Sequence, residues 1–130
     1  AAVADIDKDG ILELLISHGE IGNQILTLYK ADIKKSNNFL RIKPLNKNGA
    51  PARGATVTLT SNFREHSKTI DAGSGYLCQM EPVAHYGIRE GEKDFKVSIK
   101  WTNGKTNNYK ITKTGKTYIF KQSKMAISPS

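Results

Sequence analysis

Apolar residues recur in this chain at every second position, in short runs cut by Gly, Asn and Pro, and no helical stripe of useful length interrupts them. The clearest run is Phe95-Lys96-Val97-Ser98-Ile99-Lys100-Trp101. Successive side chains of a strand point to opposite faces, so Phe95, Val97, Ile99 and Trp101 share a buried face while Lys96, Ser98 and Lys100 share a wet one. Asn103-Gly104 follows at once, a dipeptide suited to a type I′ turn, and Asn108-Tyr109-Lys110-Ile111-Thr112 returns. Residues 24–30, 39–42, 55–60, 63–70, 76–80 and 117–120 read as further strands between turn residues. Short strands at this spacing predict an all-β fold whose main body is a sandwich. A chain of 130 residues is long enough for one such domain with a real core, or for one domain and a piece of another.

Residues 31–38 are polar and lysine-rich, with no apolar periodicity beyond Ile33, and a domain boundary is expected there. The division is then a first unit over 1–31, a linker over 32–38, the sandwich over 39–122 and an unpatterned tail over 123–130. No run of about eighteen apolar residues offers a membrane span, and no basic-then-apolar leader opens the chain. The sequence lacks an initiator Met and starts inside a strand pattern, as a fragment or processed product of a longer protein would. Its one cysteine, Cys78, cannot form an internal disulfide. A small buried apolar residue is the default reading, and a bridge to a residue outside the fragment is the alternative.

Asp5-Ile6-Asp7-Lys8-Asp9-Gly10-Ile11-Leu12-Glu13 sets carboxylates at alternate positions on a turning backbone, with a glycine after the third and a glutamate beyond it. Calcium takes six or more oxygens at about 2.3–2.6 Å, which such a loop can converge on one point. An EF-hand would need helices on both sides and a bidentate Glu at its twelfth position, where this chain has Ile16. Strand-like residues flank the loop instead, Ala2-Val3-Ala4 before it and Ile11 to Ile16 after it, so it is expected to close a β-hairpin. Asp5, Asp7, Asp9 and Glu13 are the candidate side-chain ligands and the Ile11 carbonyl a fifth. The competing account is an acidic turn that binds nothing.

The net charge of +8 is unevenly spread. Acids lead up to Glu20, whereas from Lys96 onward Lys96, Lys100, Lys105, Lys110, Lys113, Lys116, Lys121 and Lys124 run without any acid. Exposed lysines commonly blunt aggregation of a sheet face. The functional reading is a surface for an acidic protein, a polyanionic polysaccharide or a charged mineral. Nearly all-Lys composition with few interleaved aromatics argues against nucleic acid.

With these elements placed, the sequence resembles the C-terminal part of the cartilage acidic protein family, the end of an FG-GAP-type propeller followed by an ASPIC/UnbV domain. The resemblance rests on DIDKDGILELLISHGE (5–20), NNFLRIKPLNKNGAPARGATVTL (37–59), DAGSGYLCQMEPVAHYGI (71–88) and VSIKWTNGK (97–105). It implies that 1–31 is the last piece of a propeller blade, packed on the rest of a propeller or on a partner chain, and that 39–122 is a transthyretin-like or immunoglobulin-like sandwich. It also implies calcium on Asp5, Asp7, Asp9, Ile11 and Glu13, a secreted protein of matrix or cell surface, and binding rather than catalysis. Glu13 departs from the Asp usual in that family, and the basic charge departs from the acidic character its name advertises, so the partner does not carry over.

Gly73, Gly75 and Gly87 are read as places where the backbone turns sharply or approaches another segment, with Tyr76, Leu77 and Met80 packing between them. Glu81 and His85 stand out as polar, and a buried Glu–His pair fixing this loop is the preferred account. An enzyme can be assembled only from Cys78 as nucleophile with His85 as base and Glu81 as orienter, a Cys/His hydrolase-like set resting on sequence proximity alone. The favoured function is a non-catalytic binding or scaffold module. The alternative is a structural component of a matrix or biomineral assembly that packs with a second protein.

Overall fold

The computed structural model describes residues 1–19, 21–32, 38–71, 73 and 79–123, and every regular element among them is a β-strand. The chain first makes a three-stranded antiparallel sheet of β1 (Ala2–Ala4), β2 (Glu13–Ser17) and β3 (Leu26–Tyr29), with β2 in the centre. The acidic loop does close a hairpin, since Ala4 pairs with Glu13 across it.

Two further sheets pack face to face as a sandwich. In one, β4 (Asn38–Leu45) lies between β10 (Lys116–Lys121), to which it is parallel, and β7 (Ala84–Ile88). The other is an antiparallel row of β6 (Glu65–Thr69), β5 (Thr56–Thr60), β8 (Lys96–Lys100) and β9 (Thr106–Lys110). Alternation decides what meets between them. Leu40 and Ile42 of β4 and Tyr86 and Ile88 of β7 face Val57 and Leu59 of β5 and Val97 and Ile99 of β8, all buried. Each such side chain contributes about 1.5–3 kcal/mol by leaving water. The Tyr86 hydroxyl donates to the Val57 carbonyl at 2.8 Å, which satisfies its polar end across the core. Trp101 is buried as its alternation predicts, and its indole N–H donates to Asn107 Oδ1 at 2.6 Å.

Pro44 sits in the middle of β4, where a proline would normally break a ladder. The β7 pairing ends at Ile42, so β4 has a strand neighbour on one side only at that point. One expectation needs correction. The turn at Asn103-Gly104 is not type I′. Gly104 (φ +82) is left-handed and Asn103 is not, and the bonds Gly104 N to Trp101 O (2.9 Å) and Trp101 N to Lys105 O (2.8 Å) form a three-residue loop. Of the expected strand over 76–80, Tyr76, Leu77 and Cys78 lie outside the described residues, and Gln79 and Met80 are not in a strand. After β9 the chain crosses to the opposite sheet, and Tyr109 stacks on Phe120 at 3.9 Å to close that edge.

Candidate functional site

The acidic loop does not stand free. It lies on the outer face of β4 and β7, where Phe39 and Arg41 of β4 and His85 of β7 point away from the core, with Arg41 and His85 in direct register. A Cβ added to Gly10, which adopts φ +88, would come within 2.0 Å of Phe39 Cδ1, so only a glycine allows the loop this close. The His85 ring lies nearly parallel to that of Phe39, with 6.0 Å between ring centres, and its Nδ1 is buried with no hydrogen-bond partner. Burial holds the His85 pKa below its ordinary 6.5, with Arg41 and Lys68 adding to this and Asp5 and Gly10 opposing it.

Four carboxylates line the loop and they are not equivalent. Asp5 and Glu13 are buried, whereas Asp7 and Asp9 are exposed. Carboxylate oxygens of Asp5, Asp7 and Glu13 all lie within 4.8 Å of one another. Asp9 stands outside that trio, its Oδ1 taken by the Ile11 N–H at 2.8 Å. Internal bonds set the loop: Gly10 N–H donates to Asp5 Oδ2 at 3.2 Å, Ile6 N–H to Glu13 Oε2 at 2.8 Å, and Asp9 N–H to Asp7 Oδ1 at 3.2 Å. One oxygen of each buried acid is left over. Asp5 Oδ1 and Glu13 Oε1 are buried with no hydrogen-bond partner, and a lone pair withdrawn from water in this way is costly unless something cationic meets it. Oxygens coordinating one ion at about 2.3–2.6 Å can lie no farther apart than about twice that distance. The trio satisfies this limit, so Asp5, Asp7 and Glu13 are the residues that could share a hard cation.

Two basic groups from outside the loop meet it. Arg41, only 4% exposed in its side chain, places Nη1 3.4 Å from Asp5 Oδ2 and Nη2 against Glu81 Oε1. Lys30, just past β3, sets its ammonium against Asp7 Oδ2, 2.7 Å from Asp9 Oδ2 and 3.8 Å from Glu13 Oε1. Hydrogen bonds to Asp7 and Asp9 raise the Lys30 pKa, and the Lys30 contact is the main cause of a lowered Asp9 pKa.

Of the other singled-out residues, Glu81 reaches Arg41 rather than His85, because the buried guanidinium is the stronger claimant for a carboxylate. Gly87 lies within β7 opposite Phe39, with nothing within 4 Å of an added Cβ, so it marks neither a turn nor a close approach. Gly73 is exposed and donates its N–H to Asp71 Oδ1 at 3.0 Å. Gly75, Tyr76, Leu77 and Cys78 lie outside the described residues, as does Lys124. The lysines do not form one surface. Lys96 and Lys100 of β8 and Lys110 of β9 share the outer face of the four-stranded sheet, with Lys96 directly opposite Lys110. Lys105 follows the β8–β9 loop, opposite Trp101, Lys113 precedes β10, and Lys116 of β10 belongs to the other sheet, its ammonium 4.8 Å from the Tyr118 ring centre. A buried knot that the sequence reading passed over closes one end of the sandwich. Glu92 accepts from Arg64 Nε at 3.0 Å, Ser61 Oγ at 2.8 Å and Arg89 N–H at 2.9 Å. Burial pushes the Glu92 pKa up, but these donors outweigh it and the net shift is downward.

The model of the family described as ASPIC and UnbV matches residues 45–127, which is most of the sandwich. The chain belongs to this family. Among similar proteins are three called cartilage acidic protein 1. That of Xenopus tropicalis is 48% identical over 105 residues, covering 80% of this chain and 16% of the relative. Those of Mus musculus and Homo sapiens are 47% and 46% identical over 104 residues, each covering 79% of this chain and 16% of the relative. The chain therefore spans 16% of the length of these relatives, and the ASPIC/UnbV match begins at the last residue of β4 and takes in β5 to β10.

Proposed function

We propose that this chain is a non-catalytic module of a secreted matrix protein, and that its sandwich docks an acidic protein or polyanionic matrix polymer on the outer face of the four-stranded sheet. The observation that carries this is the juxtaposition of Lys96, Lys100 and Lys110 there. Like charges directly opposite one another cost stability, yet Lys96 faces Lys110. Around them the face is a flat row of hydroxyls, with Thr58 Oγ1 and Ser67 Oγ bonded at 2.7 Å, and Glu65 is the one acid among its strand residues. The extracellular-matrix reading is taken from the word cartilage in the relatives' name. In this reading a calcium ion braces the β1–β2 loop. Asp5, Asp7 and Glu13 hold it, with Asp9 or the Ile11 carbonyl completing the shell, and it gives the orphaned oxygens of Asp5 and Glu13 the direct partner they lack. Ile21, Ile25, Leu26, Leu28 and Tyr29 are half or more exposed on or beside β3, which fits a first unit that packs on further propeller or on a partner chain.

Binding to heparin across a salt series tests the docking face, because the screening length falls from about 10 Å at 0.1 M to about 3 Å at 1 M salt. Changing Lys96, Lys100 and Lys110 together to Gln should weaken binding and flatten its salt dependence, while changing Lys113 and Lys116 should do less. Equal affinity and equal slope for the triple variant would reduce the face to a solubility device. A second reading, a structural component of a matrix or mineral assembly, uses the same face against a repeating surface. Ordered co-assembly with a mineral or with a second protein would favour it over a soluble acidic partner. A hydrolase is disfavoured because Glu81, the orienter such a set would need, is paired with Arg41 rather than with His85. A Cys78 that reacts rapidly with a thiol reagent in the folded protein would reopen it.

A further inference from the structure

The two basic groups that meet the acidic loop differ in how firmly they are held. The Arg41 side chain is 4% exposed and is locked between Asp5 and Glu81. The Lys30 side chain is 45% exposed, and among the described residues its ammonium is held by the loop carboxylates. Yet Lys30 meets two of the residues a metal would need. It contacts Asp7 Oδ2 and faces the orphaned Glu13 Oε1 at 3.8 Å, and both residues belong to the converging trio. A divalent ion bonded to those oxygens at about 2.3–2.6 Å would sit on top of an ammonium hydrogen-bonded to the same atoms. Two cations cannot occupy that space together.

We propose that Lys30 is a tethered counter-cation of the loop, neutralising Asp7, Asp9 and Glu13 when no divalent ion is bound and giving way when one binds. The inference rests on the cation reading given under Proposed function and adds a regulator to it. Lys30 is covalently tied to the end of β3, and β3 pairs with β2, which carries Glu13 at its start, so the ammonium is always at high local concentration. A metal must then bind against this resident competitor, and its apparent affinity falls by the fraction of loop that Lys30 occupies. In return the loop keeps its shape without metal, since carboxylates this close would otherwise repel.

Calorimetric titration of the 130-residue chain with calcium chloride at fixed ionic strength tests this, using wild type, Lys30→Gln and Lys8→Gln. Lys8 is an exposed lysine of the same loop and controls for the general effect of removing a positive charge. Exposed ion pairs contribute a few-fold each, so losing the pairs to Asp7 and Asp9 should tighten calcium binding about fivefold in Lys30→Gln, against less than about twofold in Lys8→Gln. Melting in chelator and in saturating calcium gives a second readout. Lys30→Gln should lower the melting temperature of the metal-free protein and leave that of the calcium-loaded protein unchanged. Equal calcium affinity in wild type and Lys30→Gln, or an equal loss of melting temperature with and without calcium, overturns the inference while the cation site stands. Absence of calcium binding in all three proteins removes the cation site and the inference together.

Discussion

In the sandwich, Leu40, Ile42, Val57, Val97 and Ile99 leave none of their surface in water, whereas in the first sheet Leu26, Leu28 and Tyr29 are half or more exposed. Among the described residues up to position 32 the buried side chains are those of Asp5 and Glu13. One region is held by apolar area removed from water and the other by charges matched across an interface. The difference matters because the first kind of stability is spread over many contacts, while the second is concentrated in Arg41, Phe39 and the loop that covers them. A region of this second kind is expected to open locally before the whole molecule unfolds.

The largest effect should come from attacking the apolar region. Trp101→Ala removes a buried indole and orphans its Asn107 partner, and should cost about 3–5 kcal/mol, enough to threaten a domain of ordinary stability. Denaturant unfolding measures it, and a loss under about 1 kcal/mol would mean the indole is not part of the core. Arg41→Ala attacks the other region. It strands Asp5 in a buried site, and breaking a buried pair this way costs roughly 3 kcal/mol. Amide exchange should then show the β1–β2 hydrogen bonds losing protection while β5 and β8 keep theirs. Equal loss in both would show that the two regions are one cooperative unit and dissolve the contrast.

The smallest effect is a pH dependence. The His85 pKa is depressed in the fold, so below its ordinary 6.5 the unfolded chain binds more protons than the native one. Stability from this source is present above that pH and is lost as pH falls through the depressed folded value. Protection of the β1–β2 amides should therefore weaken on mild acidification in wild type and less so in His85→Gln. An identical pH profile in the two proteins would remove His85 from the contact.

The strands of the sandwich were legible because alternation survives wherever one face is buried and the other wet, as in 95–101 and 55–60. The acidic loop was legible for a different reason, since its carboxylate spacing is local. What could not be read is what depends on distant parts of the chain meeting. Arg41 falls at an outward position of β4, where an arginine is ordinarily solvated, and only the arrival of residues 5–10 buries it. A lone Arg between Leu40 and Ile42 was the available signal. Lys30 looked like any lysine at the end of a strand. The lysines from Lys96 to Lys116 formed one group in sequence but fall on different surfaces, because the crossover from β9 to β10 changes sheet. Glu81 looked to a nearby histidine and found an arginine forty residues upstream.

The parallel pairing of β10 with β4 has a mechanical consequence. The pairs run from Lys116 opposite Leu40 to Lys121 opposite Leu45, and Gly115 N–H to the Phe39 carbonyl (2.7 Å) and Gln122 N–H to the Leu45 carbonyl (2.8 Å) extend the seam at both ends. Tension entering at the start of β4 and leaving at the end of β10 pulls the two strands in opposite directions along their length, so the whole row of bonds is loaded at once. The β8–β9 hairpin, gripped at Lys96 and Lys110, would instead open one pair at a time. Force spectroscopy with handles at residues 38 and 121, against handles at 96 and 110, should find the first geometry the stiffer, which would make this seam the clasp that keeps the domain shut when its surroundings are stretched.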